Sequence, residues 1–296
     1  MSETDTTKFE TYRPLMFSIA YRMLGSATEA EDIVQEAYLR YQAAKTDEIV
    51  SHKAFLSTIV TRLCLNQLQS AHMQRETYVG PWLPEPILSD QVSIPAQQAE
   101  LHESISMAFL TILEELSPLE RAVFLLREVF DYEYAEVAEI IGKEETACRQ
   151  LFSRARKHIT EHRPRYKPSP EAHRQILDQF IQAVGTGELD GFVQLLSDDV
   201  IMWADGGGKT RGAALYPLYG RNAVGQFILA SGRLAPANAS VEVADVNGEQ
   251  AVVLRTGGKA FIVLFIEVSQ GQVHEIRIVG NPDKLNWVNE TKGDDG

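Results

Sequence analysis

Glu133 to Arg156, EYAEVAEIIGKEETACRQLFSRAR, decides how half of this chain is built. Ala135, Val137, Ala138 and Ile141 recur at helical spacing and mark an inward face. Gly142 supplies a turn before a second helix that starts at Glu144 and runs to about Ile159. Helix, tight turn, helix is the helix-turn-helix pattern. Its second helix sets Arg149, Gln150, Ser153 and Arg154 on one face. Arginine pairs with guanine, and glutamine with adenine, in a major groove. Arg156 and Lys157, followed by Arg163, Arg165 and Lys167, suit phosphates, which position a helix without specifying sequence. A basic, solvated helix end favoured by its dipole is the plainer explanation. The helix-turn-helix context favours base contact by Arg149 or Arg154.

The formal net charge of -13 argues at first against a nucleic-acid partner. The distribution of that charge points the other way. Arg149 to Lys167 holds seven Lys or Arg and one acid, Glu161, whereas residues 76–104 hold five acids and no base. A local basic patch matters more to DNA than the global balance.

Upstream, residues 105–163 read as helical, with Ser117-Pro118-Leu119-Glu120 as a helix start: cap, proline at the first position, acid at the third. Residues 8–75 are also helical. Phe9, Tyr12, Met16, Ile19 and Met23 make one face, and Gly25 ends it. Ser26 or Thr28 caps a second helix whose first turn is acidic. Between these halves, Pro81, Pro84, Pro86 and Pro95 forbid a continuous helix. That linker carries Trp82, Leu83 and Ile87, which a plain spacer does not need, so it is expected to dock on another part of the chain. A second linker, residues 164–170, has three prolines. After it, residues 171–199 read as two helices. Strand signals follow at 200–203, 241–243, 251–254, 260–268 and 273–279, with a hairpin turn at Gln270-Gly271-Gln272. The expectation is an α+β domain with four or five antiparallel strands.

Composition excludes other classes. With 44% hydrophobic and 23% charged residues, the chain is that of an ordinary globular protein. The longest apolar run, Ala260 to Ile266, is far shorter than a membrane helix, so no membrane partner is expected. Met1 to Lys8 is polar and acidic, unlike a signal peptide. Cys64 and Cys148 stand far apart, which argues against a disulfide scaffold or a cysteine zinc site and fits a reducing, cytoplasmic setting. No metal and no cofactor are expected.

The first 165 residues resemble an extracytoplasmic-function sigma factor. Ala30 to Arg40, AEDIVQEAYLR, is similar to the helix of region 2 that docks on core RNA polymerase, and Gly142 to Arg156 to the recognition element of region 4. Three further stretches resemble signatures of the SigJ-type subfamily, whose members carry a fused SnoaL-like domain. They are Trp82-Leu83-Pro84-Glu85-Pro86, Asp205-Gly206-Gly207-Gly208-Lys209 and Asn281-Pro282-Asp283-Lys284-Leu285. The resemblance implies two all-α sigma domains plus an α+β, cone-shaped SnoaL-like domain. Its boundaries would be 1–75 for region 2, 76–104 for the linker, 105–165 for region 4, 166–172 for a short linker and 173–290 for the third domain.

The implied function is an alternative sigma factor that binds core RNA polymerase through its β and β′ subunits. It would read the -10 element with region 2 and the -35 element with region 4, under control of the C-terminal domain in cis. Asp32, Gln35, Glu36 and Arg40 would meet polymerase. Asp47, His52, Lys53, Phe55 and Arg62 would meet the -10 DNA, and Arg149, Gln150, Ser153, Arg154, Arg156 and Lys157 the -35 DNA. Phe55 stands where the family commonly has Trp, and Gln67 and Gln69 replace a basic helix end, which weakens phosphate attraction there. The three signatures would contact one another, with Lys209 pairing an acid such as Glu85 and Asp205 a donor of the sigma domains. In the third domain, Trp203, Asp205, His274, Glu275 and Arg277 carry chemistry, but no catalytic set of acid, base and nucleophile stands out, and His274 reads as a core histidine. The alternative is a DNA-binding module fused to an enzymatic or ligand-sensing cone-fold domain, with a small molecule in its pocket.

Overall fold

The computed structural model describes residues 3–44, 49–75, 77–91, 105–162, 168–187 and 189–289. The chain divides into two compact units. One comprises Met1–Thr77 and Val92–Arg163; the other comprises Tyr78–Gln91 and Pro164–Gly296. Tyr78–Gln91, with Pro81, Pro84 and Pro86, thus belongs to the C-terminal unit, although it lies in sequence between the two helical halves of the first.

The helical unit begins with α1 (Glu3–Leu24), α2 (Ala27–Ala43) and α3 (His52–Arg75). Gly25 takes φ 67, the left-handed turn that ends α1. Ser26 then caps α2 by accepting from the Glu29 amide. Ile33, Val34, Ala37 and Tyr41 on α2, with Leu56, Val60 and Leu63 on α3, are buried. The second half holds α4 (Met107–Glu114), α5 (Pro118–Phe124), one π-helical turn over Leu125–Val129, α6 (Tyr134–Ile141) and α7 (Glu145–His162). Ser117 and Glu120 form the expected reciprocal capping box. Gly142 takes φ 66 between α6 and α7, and Val137, Ile140, Ile141, Cys148, Ala155 and Ile159 are buried. Burial holds both thiols, Cys64 and Cys148, above their ordinary range, which disfavours the reactive thiolate.

The C-terminal unit has α8 (Pro170–Thr186), α9 (Leu189–Leu195), β1 (Leu196–Asp205), β2 (Leu218–Tyr219), α10 (Arg221–Gly232), β3 (Ser240–Val246), β4 (Glu249–Thr256), β5 (Lys259–Ser269) and β6 (Gln272–Val279). A 3-10 turn, Pro282–Lys284, and a final helical turn, Asn286–Asn289, follow. The strands form one sheet in the order β2-β1-β6-β5-β4-β3. Leu177, Phe180, Phe192, Val200, Met202, Val224, Ile228, Leu264 and Ile276 form a continuous core between helices and sheet.

Two expectations are corrected, and one helix has no counterpart among them. The sheet is mixed, because β1 pairs parallel with β6. Helix does not run to residue 199: it ends at Leu195, and β1 starts at Leu196, where the buried side chains join the sheet. Helix α10, with Val224, Ile228 and Leu229 buried, has no clear sequence signal, since Gly225 interrupts its propensity. A Cβ at Gly225 would lie 3.0 Å from Val193 Cγ2, so the glycine permits close packing of α10 on α9.

Candidate functional site

Helix α7 presents the expected row to solvent. Arg149, Gln150, Ser153, Arg154, Arg156 and Lys157 are all exposed. Several already hold intramolecular partners. Arg149 pairs with Glu145 and lies 4.3 Å from the Tyr134 ring centroid. Arg154 Nε lies 3.1 Å from Glu120 Oε1, and Lys157 Nζ 3.9 Å from Glu161 Oε1. The three cations are exposed and only Glu120 among their partners is largely covered; such surface pairs are worth about 1 kcal/mol or less, so a phosphate or base edge can displace them cheaply. Arg163, Arg165 and Lys167 lie outside the described residues.

On α2, Asp32, Gln35 and Arg40 are exposed and Glu36 is half-buried, with Arg40 Nε 2.8 Å from Glu36 Oε1. Four of the five residues expected at the -10 element fall on α3; Asp47 lies outside the described residues. His52 Nδ1 meets Tyr41 Oη at 3.1 Å, and Phe55 packs beside the same Tyr41 ring. Lys53 lies 4.7 Å over the Tyr132 ring. Arg62 donates to the Ile140 and Glu139 carbonyls at 2.9 and 3.0 Å, at the end of α6. Ser57 and Tyr132 hydroxyls meet at 2.6 Å. Tyr132, unremarkable in the sequence, is therefore a junction between α3 and the helix-turn-helix half.

The three signature stretches converge inside the C-terminal unit. Asp205, at the end of β1, is buried and accepts from the Tyr78 hydroxyl (2.5 Å), the Leu83 amide (2.8 Å), the Gly207 amide (3.1 Å) and Lys284 Nζ (2.7 Å). Lys284 also donates to the Leu83 carbonyl at 2.5 Å and lies 4.0 Å over the Trp82 ring. Its side chain is 8% exposed and that of Asp205 is 0%. A buried ion pair stands only if further hydrogen bonds satisfy it, and here they come from the linker and the Gly207 amide. Burial, then the hydrogen bond to Asp205, holds the Tyr78 phenol well above its ordinary range.

The other signature residues shape this clasp. Gly207 and Gly208 take φ 56 and 70, and a Cβ at Gly207 would lie 2.3 Å from Asn281 Nδ2. Glycine is therefore required by both conformation and space. Asn281 donates from Nδ2 to Tyr78 Oη at 2.9 Å, caps the turn at Asp283 and is followed by Pro282 at the first helical position. Leu83, Pro84, Glu85 and Pro86 are buried and Trp82 is half-buried; Leu285 is buried, and Gly206 packs where a Cβ would meet Ala213. Further along, Ile87 and Asn247 exchange hydrogen bonds, and the Ser89 amide donates to the Asp245 carbonyl at 2.9 Å, fastening the linker to the β3–β4 turn.

Two expectations about this site are corrected. Lys209 pairs with Asp283 and not Glu85, which is buried while Lys209 is exposed. Asp205 takes its donors from the linker, Gly207 and Lys284 rather than from a sigma-domain residue. Sequence reasoning does not find Tyr78; its only signal is an aromatic four residues before Trp82. Elsewhere on the sheet, Arg277 lies 5.2 Å over the Trp203 ring and pairs with Glu275 and, at 3.3 Å, with Glu267. Burial pushes Glu267 up to about 7. His274 is not a core histidine: its side chain is 36% exposed, with Nδ1 3.6 Å from Asp199.

Comparison with known proteins aligns with this geometry. Residues 9–72 match the Sigma-70 region 2 family, and residues 106–159 the Sigma-70, region 4 family. The chain is 36% identical over 292 residues to the ECF RNA polymerase sigma factor SigJ of Mycobacterium tuberculosis, covering 95% of this chain and 93% of the relative. It is 32% identical to the probable ECF RNA polymerase sigma factor SigI of the same species, over 97% of each chain. The crystal structure of M. tuberculosis SigJ superposes with a TM-score of 0.74 at 34% identity, covering 95% of this chain and 98% of that one.

Proposed function

Because the chain belongs to the extracytoplasmic-function RNA polymerase sigma factors, we propose that its helical halves divide promoter recognition and that the C-terminal unit controls them in cis. It is an alternative sigma factor, which joins core RNA polymerase and directs transcription initiation at promoter DNA. In our reading, residues 1–75 are the region 2 domain, 105–165 the region 4 domain and 173–290 a SnoaL-like regulatory domain, all working in the cytoplasm. Asp32, Gln35, Glu36 and Arg40 meet the β and β′ subunits. His52, Lys53, Phe55 and Arg62, with Asp47, read the -10 element. Arg149, Gln150, Ser153 and Arg154 read base edges at -35, while Arg156 and Lys157 hold phosphates.

One observation supports control in cis: Tyr78, Trp82 and Leu83, on the segment joining the two helical halves, are held by the buried Asp205–Lys284 pair. Tyr78–Gln91 belongs to the C-terminal unit, so in this reading the clasp restrains the segment that joins the halves. Release of the clasp is expected to raise promoter use.

In vitro transcription with core polymerase and the full chain tests the promoter reading. Arg149→Ala and Arg154→Ala are each expected to cost about 1–3 kcal/mol in use of a selected promoter. Equal transcription by both variants and the wild type contradicts the assignment of α7. Failure of the folded wild type to initiate contradicts the whole reading.

A further inference from the structure

Two histidines on α7 stand outside the residues assigned above to promoter recognition. His158 and His162 lie one turn apart, with ring centroids 4.2 Å from each other. Glu115, the residue that caps the end of α4, reaches the same place, its Oε2 2.8 Å from His158 Nε2. One ligand atom from each of the three lies within 4.8 Å of the others. We infer that Glu115, His158 and His162 form a binding site for a first-row divalent transition metal of the Zn2+, Co2+ or Ni2+ class.

Three observations point the same way. First, the donor set is right: imidazole nitrogens with one carboxylate suit these metals, whereas Mg2+ and Ca2+ prefer oxygen throughout. Second, His162 Nδ1 lies 2.8 Å from the His158 carbonyl oxygen. A carbonyl only accepts, so this contact puts the proton on Nδ1 and leaves the Nε2 lone pair free. Metal-binding histidines are held in the same way, the second nitrogen donating to a backbone carbonyl. Third, the required movement is small. Metal–ligand bonds of about 2.0–2.2 Å set donors roughly 3.3 Å apart in a tetrahedron. Glu115 and His162 are exposed, so side-chain rotation closes the remaining gap without moving α4 or α7. The ion would take the place of the proton between His158 and Glu115, and solvent would fill the fourth position.

The consequence is a clamp. Helix α7 is anchored inward by Cys148, Ala155 and Ile159. The ion would tie its last turns to the end of α4 and add positive charge to a basic helix end bearing Arg154, Arg156 and Lys157.

Untagged full-length protein, stripped with chelator, is titrated with Co2+ and followed by visible absorption, and with Zn2+ by calorimetry. One site with a Kd on the order of micromolar is expected. Zn2+ should also raise the unfolding temperature of the helical unit. His162→Gln keeps the His158–Glu115 contact but removes a ligand, and it should weaken binding by about tenfold or more and abolish the thermal shift. His158→Gln should do the same. Absence of Co2+ absorption in the wild type overturns the inference. So does equal affinity of the wild type and His162→Gln, which would place bound metal elsewhere.

Discussion

The exposed row on α7 and the clasp around Asp205 use the same chemistry, cations against carboxylates, to opposite ends. Arg149 and Arg154 keep their acid partners at the surface, where side chains exchange partners at little cost. Lys284 and Asp205 are shut away from water, with the linker supplying the Tyr78 hydroxyl, the Leu83 amide and carbonyl and the Trp82 ring. There, loss of one partner leaves a buried charge unanswered. The α7 row is built from contacts that are cheap to exchange. The Tyr78–Leu83 segment is held by buried contacts that fail together.

That contrast can be broken at several points. Asp205→Ala should have the largest effect, destabilising the C-terminal unit by about 3–5 kcal/mol in urea unfolding, since Lys284 stays buried without its acid. Gly207→Ala should follow at about 2–3 kcal/mol, from its positive φ and the close approach of Asn281. Glu267 offers a pH test. Burial raises its folded value to about 7 from 4.5, so its contribution to stability is complete below about pH 4.5 and is lost as pH rises through 7. Glu267→Gln should flatten the stability profile of the C-terminal unit across that window, as read by thermal unfolding. Arg154→Ala should change stability by under about 1 kcal/mol while still impairing promoter use. A large loss of stability in Arg154→Ala would erase the contrast.

Much of the helical unit is legible in the sequence because its signals are local. The Ser117 capping box, the Gly25 and Gly142 turns and the exposed arginine row each need only a few neighbouring residues. The sheet is legible as strands but not in its pairing. No local pattern reveals that β1 runs parallel to β6, about seventy residues away. Helix α10 is hidden by Gly225, whose value is tertiary: it lets α9 come close. The clasp is half legible. The signature stretches mark Trp82, Asp205 and Lys284, but charge matching alone chooses the wrong partner for Lys209. Burial decides it, since Lys209 and Asp283 are both exposed whereas Glu85 is inside.

In our reading the C-terminal unit governs initiation by holding the linker. This is tested most directly by releasing the linker from its own side, with Tyr78→Ala and Trp82→Ala combined in the full chain. In vitro transcription with core polymerase is then compared with the wild type, and protease cleavage near Trp82 confirms release. Initiation several-fold above wild type is expected, with α7 variants still impaired. A released linker with initiation equal to wild type would contradict this reading.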